Sequence, residues 1–329
     1  MKKLLMVMLI VSALLLTGTA LFAGGQTEEK DGYTFGYIAY DMQDIWNMYG
    51  AEAFEYAAGT VGVKTVVLDA GNDLEKSVAC MEDLIQKEVD GISIFPISPD
   101  QASTLIKMAN DAGIPITVEN LPPADNAGDY ISCVACLYGD IGYAAIKFAA
   151  ETNPGAKIFY AAGAKGGGVY ETYQEGIDRA LVDFAGKVEI VGIEHGDWQT
   201  EKAMNVTQNF IQTGTDFDMI FANNDLMAKG CYNALVEAGM ENIPIISTGG
   251  SPDGLQMMAD GIEAANMTAP VSIQGVQTFK NLYQYVVLGK RNIDKFTPLP
   301  IVPASAAEMD KVISWEDPAA ALAYIGGLE

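Results

Sequence analysis

The chain has 329 residues, 50% of them hydrophobic and 19% charged, which is enough apolar material for two lobes of ordinary domain size and the wrong balance for a disordered chain. Its formal net charge is −24. So acidic a surface repels phosphate backbones and argues against nucleic acid as a partner. Arginine occurs only at Arg179 and Arg291, so bidentate clamps for carboxylate or phosphate ligands are scarce.

Residues 1–23 have the three parts of a secretory signal: Lys2-Lys3, an apolar run from Leu4 to Leu16, and small residues up to Leu21-Phe22-Ala23. The run is shorter than the ~20 residues that span a bilayer, and no cysteine follows it to accept a lipid. A cleaved signal peptide and a soluble periplasmic protein are expected, with residues 24–32 as a mobile leader. Next along the chain, Tyr33 to Ala39 alternates like a strand, a polar break follows, and a helix is predicted from Ile45 to Ala58. The unit repeats with a strand at Lys64 to Leu68 and a helix at Leu74 to Lys87. It repeats again with Ile92 to Phe95, a break at Pro96 to Pro99, a helix at Gln101 to Ala112 ended by Gly113, and a strand at Ile114 to Val118.

The alternation restarts beyond Leu137. Helices are predicted at Gly139 to Glu151, Tyr170 to Ala185, Glu201 to Thr213 and Leu226 to Ala238, and strands at Lys157 to Ala161, Val188 to Gly192, Met219 to Ala222 and Ile243 to Ser247. Apolar strands separated by helix-length segments predict an α/β protein with two doubly wound parallel sheets, one on each side of residue 136. Open parallel sheets bind ligands beyond the carboxyl ends of their strands, so two facing lobes would share one cleft.

The residues just past the strand ends carry hydrogen-bonding edges and flat apolar faces: Asp44, Trp46 and Asn47; Phe95; Glu119 and Asn120; Tyr173; Asp197-Trp198; and Asn223-Asn224-Asp225. Each alone also suits a helix cap or turn. Together they have the chemistry of sugar binding, with rings over C–H faces and amides or carboxylates on hydroxyls. Gly163-Ala-Lys-Gly166-Gly167-Gly168 stands where an anion-cradling loop would, but its spacing matches neither a dinucleotide fingerprint nor a P-loop. His195 is the single histidine and has no metal-ligand partners at helical spacing. Cys133-Val-Ala-Cys136 has the spacing of a redox or half-zinc pair, without a second pair to complete a zinc site. Buried free thiols are expected at Cys80, Cys133, Cys136 and Cys231, with a disulfide as the alternative. No cofactor or metal, and no enzyme activity, is expected.

From Tyr33 to Val302 the chain resembles the ribose-type periplasmic binding proteins of ABC transporters, of periplasmic binding protein type 1 fold. The motifs are Val66-Val67-Leu68-Asp69-Ala-Gly-Asn72, Asp90-Gly91-Ile92, Ala112-Gly113-Ile114-Pro115-Ile116, Phe221-Ala222-Asn223-Asn224-Asp225-Leu226-Met227-Ala228-Lys229-Gly230, and Gly250-Ser251-Pro252-Asp253-Gly254. The resemblance implies a three-segment hinge near 133–138, 267–271 and 299–303. It implies an N-terminal lobe of 33–135 plus 270–300 and a C-terminal lobe of 136–269 plus 301–329. It keeps Trp46, Asn47, Trp198 and Asn224 as ligand contacts. Where the family carries Asp-Arg after the fourth strand, this chain has Glu119-Asn120; a family arginine is Tyr173, and a family aspartate is Gly249. Without those arginines a buried anion lacks compensation. The expected ligand is a small neutral sugar or polyol rather than ribose, with a nucleoside or other flat ring as the alternative. The expected partners are an ABC permease and, in a signalling role, a chemoreceptor or sensor kinase.

Overall fold

The computed structural model describes residues 32–96 and 98–329; the predicted signal sequence and most of the leader lie outside them. Twelve strands and ten α-helices follow one another from Thr34 onward. In the first series these are β1 (Thr34–Ala39), α1 (Ile45–Thr60), β2 (Lys64–Asp69), α2 (Leu74–Gln86), β3 (Gly91–Ile94), α3 (Pro99–Asp111), β4 (Ile116–Glu119) and β5 (Cys133–Ala135). The second runs α4 (Tyr138–Thr152), β6 (Ala156–Ala162), α5 (Val169–Asp183), β7 (Val188–His195), α6 (Thr200–Gln212), β8 (Met219–Ala222), α7 (Asp225–Ala238), β9 (Ile245–Gly249), α8 (Pro252–Ala259) and β10 (Glu263–Thr268). The chain then forms α9 (Val271–Val286), β11 (Phe296–Pro298), β12 (Val302–Ala304), a 3-10 turn (Ala306–Lys311) and α10 (Pro318–Tyr324).

The strands make two six-stranded sheets, ordered β11-β5-β4-β3-β1-β2 and β12-β10-β9-β8-β6-β7. Every pairing is parallel except β10 with β12. The two orders match position for position, as expected for two doubly wound lobes. In the N-terminal lobe, Ile38, Ile92, Ile94 and Val118 pack under α2 and α3 through Met81, Leu84, Leu105 and Ile106. In the C-terminal lobe, Phe159, Ile220 and Ile245 pack under α6 and α7 through Phe210, Met227 and Leu235. The opposite faces are covered by α1 with α9, and by α4 with α5.

The chain passes between the sheets at Cys136–Leu137, at Ala269–Pro270 and at Leu299–Ile301. α10 departs from the expected assignment of 301–329 to the C-terminal lobe. It packs on α1 and α9 of the N-terminal lobe, because the carbonyls that end it are held by α9: Lys280 Nζ donates to Ile325 at 2.9 Å and Gln284 Nε2 to Leu328 at 3.1 Å.

Small residues let the covering helices approach. A Cβ on Gly176 of α5 would lie 1.7 Å from the Gly139 carbonyl of α4, the helix that follows the first crossing. Alanine is the better helix former by about 1 kcal/mol, but overpacking costs about 1–3 kcal/mol, and here the obstacle is backbone. Gly176→Ala is therefore expected to destabilise the protein, lowering the urea midpoint; an unchanged or raised midpoint would contradict this packing.

Candidate functional site

The strands of a parallel sheet deliver the chain to helix N-termini at one edge, and those termini need caps. Asp44 Oδ1 accepts from Trp46 N at 2.9 Å and opens α1. Ser98 opens α3, Asn224 Oδ1 accepts from Met227 N at 2.8 Å and opens α7, and Ser251 opens α8. All four caps also line a cavity of about 450 Å³ between the two strand-end edges. The loops after β1 and after β3 to β10 contribute to its wall, with Leu74 at the start of α2, so both lobes enclose it.

On the N-terminal side the wall holds Asp44, Trp46, Asn47, Phe95 and Asn120. Asn47 is 1% exposed and its Oδ1 accepts from Tyr40 N at 3.1 Å. The Tyr40 and Phe95 rings stack at 6.3 Å. Asn120 takes a left-handed backbone (φ 69°) that asparagine tolerates, and its Oδ1 accepts from the Tyr138 hydroxyl.

On the C-terminal side Trp198 also has a left-handed backbone (φ 67°). Its indole lies so close to Gly163 that a Cβ there would meet the ring at 2.0 Å, so only glycine fits that loop position. Its carbonyl accepts from Asn224 Nδ2 at 3.3 Å. Both ends of the Asn224 amide are thus committed, one to the helix cap and one to Trp198. Tyr173 is bonded to Thr248 at 2.8 Å, and the single Thr248 hydroxyl proton goes to the Asn223 carbonyl at 2.7 Å. Tyr173 is therefore the donor to Thr248, and its oxygen offers only acceptor capacity to the cavity.

Two wall donors have no partner among the described residues, Trp46 Nε1 from one lobe and Asn223 Nδ2 from the other. Asn223 is 2% exposed, and its Oδ1 already accepts from the Tyr160 hydroxyl (2.7 Å) and Gly163 N (2.9 Å). A buried unpaired donor costs about 1–3 kcal/mol.

The charges at the wall are mostly committed. Asp225 is held by Ser251 N (2.6 Å), Ser247 Oγ (3.0 Å) and Asn266 Nδ2 (2.7 Å), and burial raises its carboxyl above the ordinary range. Burial also raises Asp44. Lys165 is the one cation among the lining residues and is exposed; Arg179 pairs with Asp140 outside the cavity. In the glycine-rich loop the anion's place is filled from within, since Gly166 N and Gly168 N donate to the Glu171 carboxylate at 2.8 and 3.0 Å. His195 Nδ1 faces the Gly163 carbonyl at 2.6 Å, and its ring lies edge-on to Tyr170.

Of the residues singled out from the sequence, Asp44, Trp46, Asn47, Phe95, Asn120, Tyr173, Trp198, Asn224 and Gly249 meet at the cavity. Glu119 does not. It is the last residue of β4, where alternation sends Val118 under α2 and α3 and turns Glu119 to the other face. There it is fully buried, accepting from Tyr37 (3.1 Å), Ser93 (3.1 Å) and Gln274 (2.8 Å). Sequence reasoning did not mark Tyr138, Thr248 or Trp315 as wall residues. It also chose Asn224 rather than Asn223 as the ligand contact, although the capping rule assigns Asn224 to the helix. All four cysteines are free and buried; burial pushes the Cys133 and Cys136 thiols up to about 12.

The periplasmic binding protein domain family matches residues 35–291. The chain belongs to this family. Its sequence is 30% identical to the ribose import binding protein of Escherichia coli over 225 residues, 67% of this chain and 75% of that protein. It is 28% identical to the xylitol-binding protein of Mycolicibacterium smegmatis over 247 residues, 74% of this chain and 69% of that protein. The solute-binding protein of a Bacillus halodurans ABC transporter, solved with bound myo-inositol, superposes with a TM-score of 0.78 at 23% identity, covering 87% of this chain and 98% of that one. The sheet orders and three crossings described above are thus those of a type 1 periplasmic binding protein.

Glu119 carries a pH signature. Burial raises its carboxyl from 4.5 to about 7, with the Gln274, Ser93 and Tyr37 donors pulling the other way. The folded state therefore binds a proton that the unfolded chain has released between pH 4.5 and 7. The Glu119 contribution to stability should fall as pH rises through that window, by on the order of 3 kcal/mol, and then level off. Glu119→Gln, a neutral isostere, should flatten the decline and be more stable than wild type at pH 8 in urea unfolding. Parallel pH profiles for the two proteins would refute it.

Proposed function

We propose that this protein captures a small neutral polyhydroxy solute, a sugar or polyol, outside the cytoplasm and presents it to an ABC importer. The observation that carries the reading is the pair of unpartnered buried donors, Trp46 Nε1 and Asn223 Nδ2, on opposite lobes of a cavity of about 450 Å³. A ligand with acceptor oxygens at both ends satisfies them simultaneously. The Tyr173 oxygen and the Asp44 carboxylate supply acceptors for ligand hydroxyls, while the indoles of Trp46 and Trp198 offer flat faces to C–H groups. The scarcity of wall cations favours a neutral ligand. Relatives whose names or bound ligands are ribose, xylitol and myo-inositol lie in the same chemical class. Export through the N-terminal signal and cleavage of that signal belong to the same proposal. Among the described residues no helix is long and apolar enough to cross a membrane.

The test is thermal shift and calorimetry on purified protein with D-ribose, xylitol, myo-inositol, D-allose, adenosine and glucuronate. A neutral polyhydroxy probe present at 100 times its Kd should stabilise the protein by about 2.7 kcal/mol. Trp198→Ala and Asn223→Asp should each weaken that binding at least about tenfold while leaving the fold intact. The Asp variant keeps an acceptor oxygen for Tyr160 and Gly163 and replaces the donor with a second, negatively charged carboxylate oxygen that opposes a ligand acceptor. Stabilisation by glucuronate with none by the neutral sugars would overturn the reading.

A further inference from the structure

The family match ends at residue 291, but the chain goes on to return to the cavity. After β12 the 3-10 turn Ala306–Lys311 packs against α8 in the C-terminal lobe, and α10 packs against α1 and α9 in the N-terminal lobe. The segment between them is a strap from one lobe to the other. Its middle is pinned by Ser272 Oγ, which donates to the Ser314 carbonyl at 3.1 Å, and by the Tyr49 hydroxyl, which donates to Glu316 at 3.4 Å.

Trp315 sits between these pins and lines the cavity, only 4% exposed. It belongs to neither of the two lobe cores described above. Its ring meets Trp46 edge-on, centroids 5.1 Å apart at 86°, and Tyr49 at 6.0 Å. Its Nε1 donates to the Gly249 carbonyl of the opposite lobe at 3.1 Å. Gly249 has φ 125°, a conformation that favours glycine, and a Cβ there would come within 3.4 Å of the indole.

The three tryptophans of the chain therefore share one cavity. With its only N–H given to backbone, Trp315 can present a ligand with nothing but apolar surface. Its edge also fixes the ring of Trp46, whose Nε1 is one of the unpartnered donors. We propose that Trp315, carried by the strap, is a specificity-determining residue that walls the solute cavity and limits the size of ligand it accepts. The proposal rests on the solute-capture reading above.

Trp315→Ala and Trp315→Phe are titrated by calorimetry with D-ribose, xylitol, myo-inositol, D-allose and adenosine. Trp315→Ala should weaken the best wild-type probe at least about tenfold and shift the ratio of affinities towards bulkier probes at least about fivefold. Trp315→Phe, which keeps most of the volume, should fall between. Folded variants whose Kd values stay within about twofold of wild type for every probe would overturn the assignment, and if the alanine variant does not fold the phenylalanine variant decides. Wild type that binds none of the five would sink solute capture instead. The strap assignment would then stand or fall on indole, which should raise the Tm of Trp315→Ala and not of wild type by filling the opened slot. No indole uptake would overturn it.

Discussion

The organising constraint is that a parallel strand must hand its chain to a crossover helix at its carboxyl end. Every such junction leaves helix N–H groups in need of an acceptor. In both lobes those junctions fall on the edge that faces the other lobe, and the capping residues Asp44, Ser98, Asn224 and Ser251 are simultaneously cavity wall. The pocket is a by-product of pairing direction. Once the sheets are parallel and the crossings at 136–137, 269–270 and 299–301 turn the two edges inward, polar residues needed for capping converge on one space.

Capping also decides what the pocket can offer. Oxygens are consumed first: Asp44 Oδ1 and Asn224 Oδ1 by helix starts, Asn223 Oδ1 by Tyr160 and Gly163, and the Asp225 carboxylate by Ser247, Ser251 and Asn266. Among the fully buried wall atoms, those left without a partner are donors, Trp46 Nε1 and Asn223 Nδ2. The same logic closes the glycine-rich loop to phosphate, since Glu171 already fills its N–H groups. A chain of net charge −24 thus keeps most of its charge away from the cavity or tied down within it.

The repeating unit was legible from periodicity through Ser247, because apolar runs and cap residues agree there. Boundaries moved where local chemistry overrode the run: β9 begins at Ile245, after Pro244, while Ile243 N closes a turn on the Met240 carbonyl. Beyond that point the signal weakens, since β10 carries Glu263 and Asn266 as buried polar residues satisfied partly by Asp225 and Ser247. A strand whose interior face is polar does not read as a strand. In the site, adjacent residues part company. Glu119 and Asn120 are neighbours, but alternation buries one and a left-handed turn delivers the other. Trp315 gave no signal because it does not stand just past a strand end; only the strap's path brings it to the wall.

The distribution of the free donors bears on how occupancy and lobe closure are linked. Trp46 hangs on α1, whose packing partner α9 begins immediately after the second crossing, and Asn223 hangs on the end of β8 in the other lobe. A solute that satisfied only one would leave the other buried and unpaired when the lobes meet, at about 1–3 kcal/mol. A solute that reaches both gains in the closed arrangement an interaction that separated lobes cannot make. Differential contact of that kind is what shifts a two-state equilibrium. Trp315 biases the same equilibrium without ligand, because its bond to Gly249 and its contact with Trp46 also span the cleft. On the proposed reading, the strap and a bridging solute would favour the same closed arrangement, one from within the chain and one from outside it.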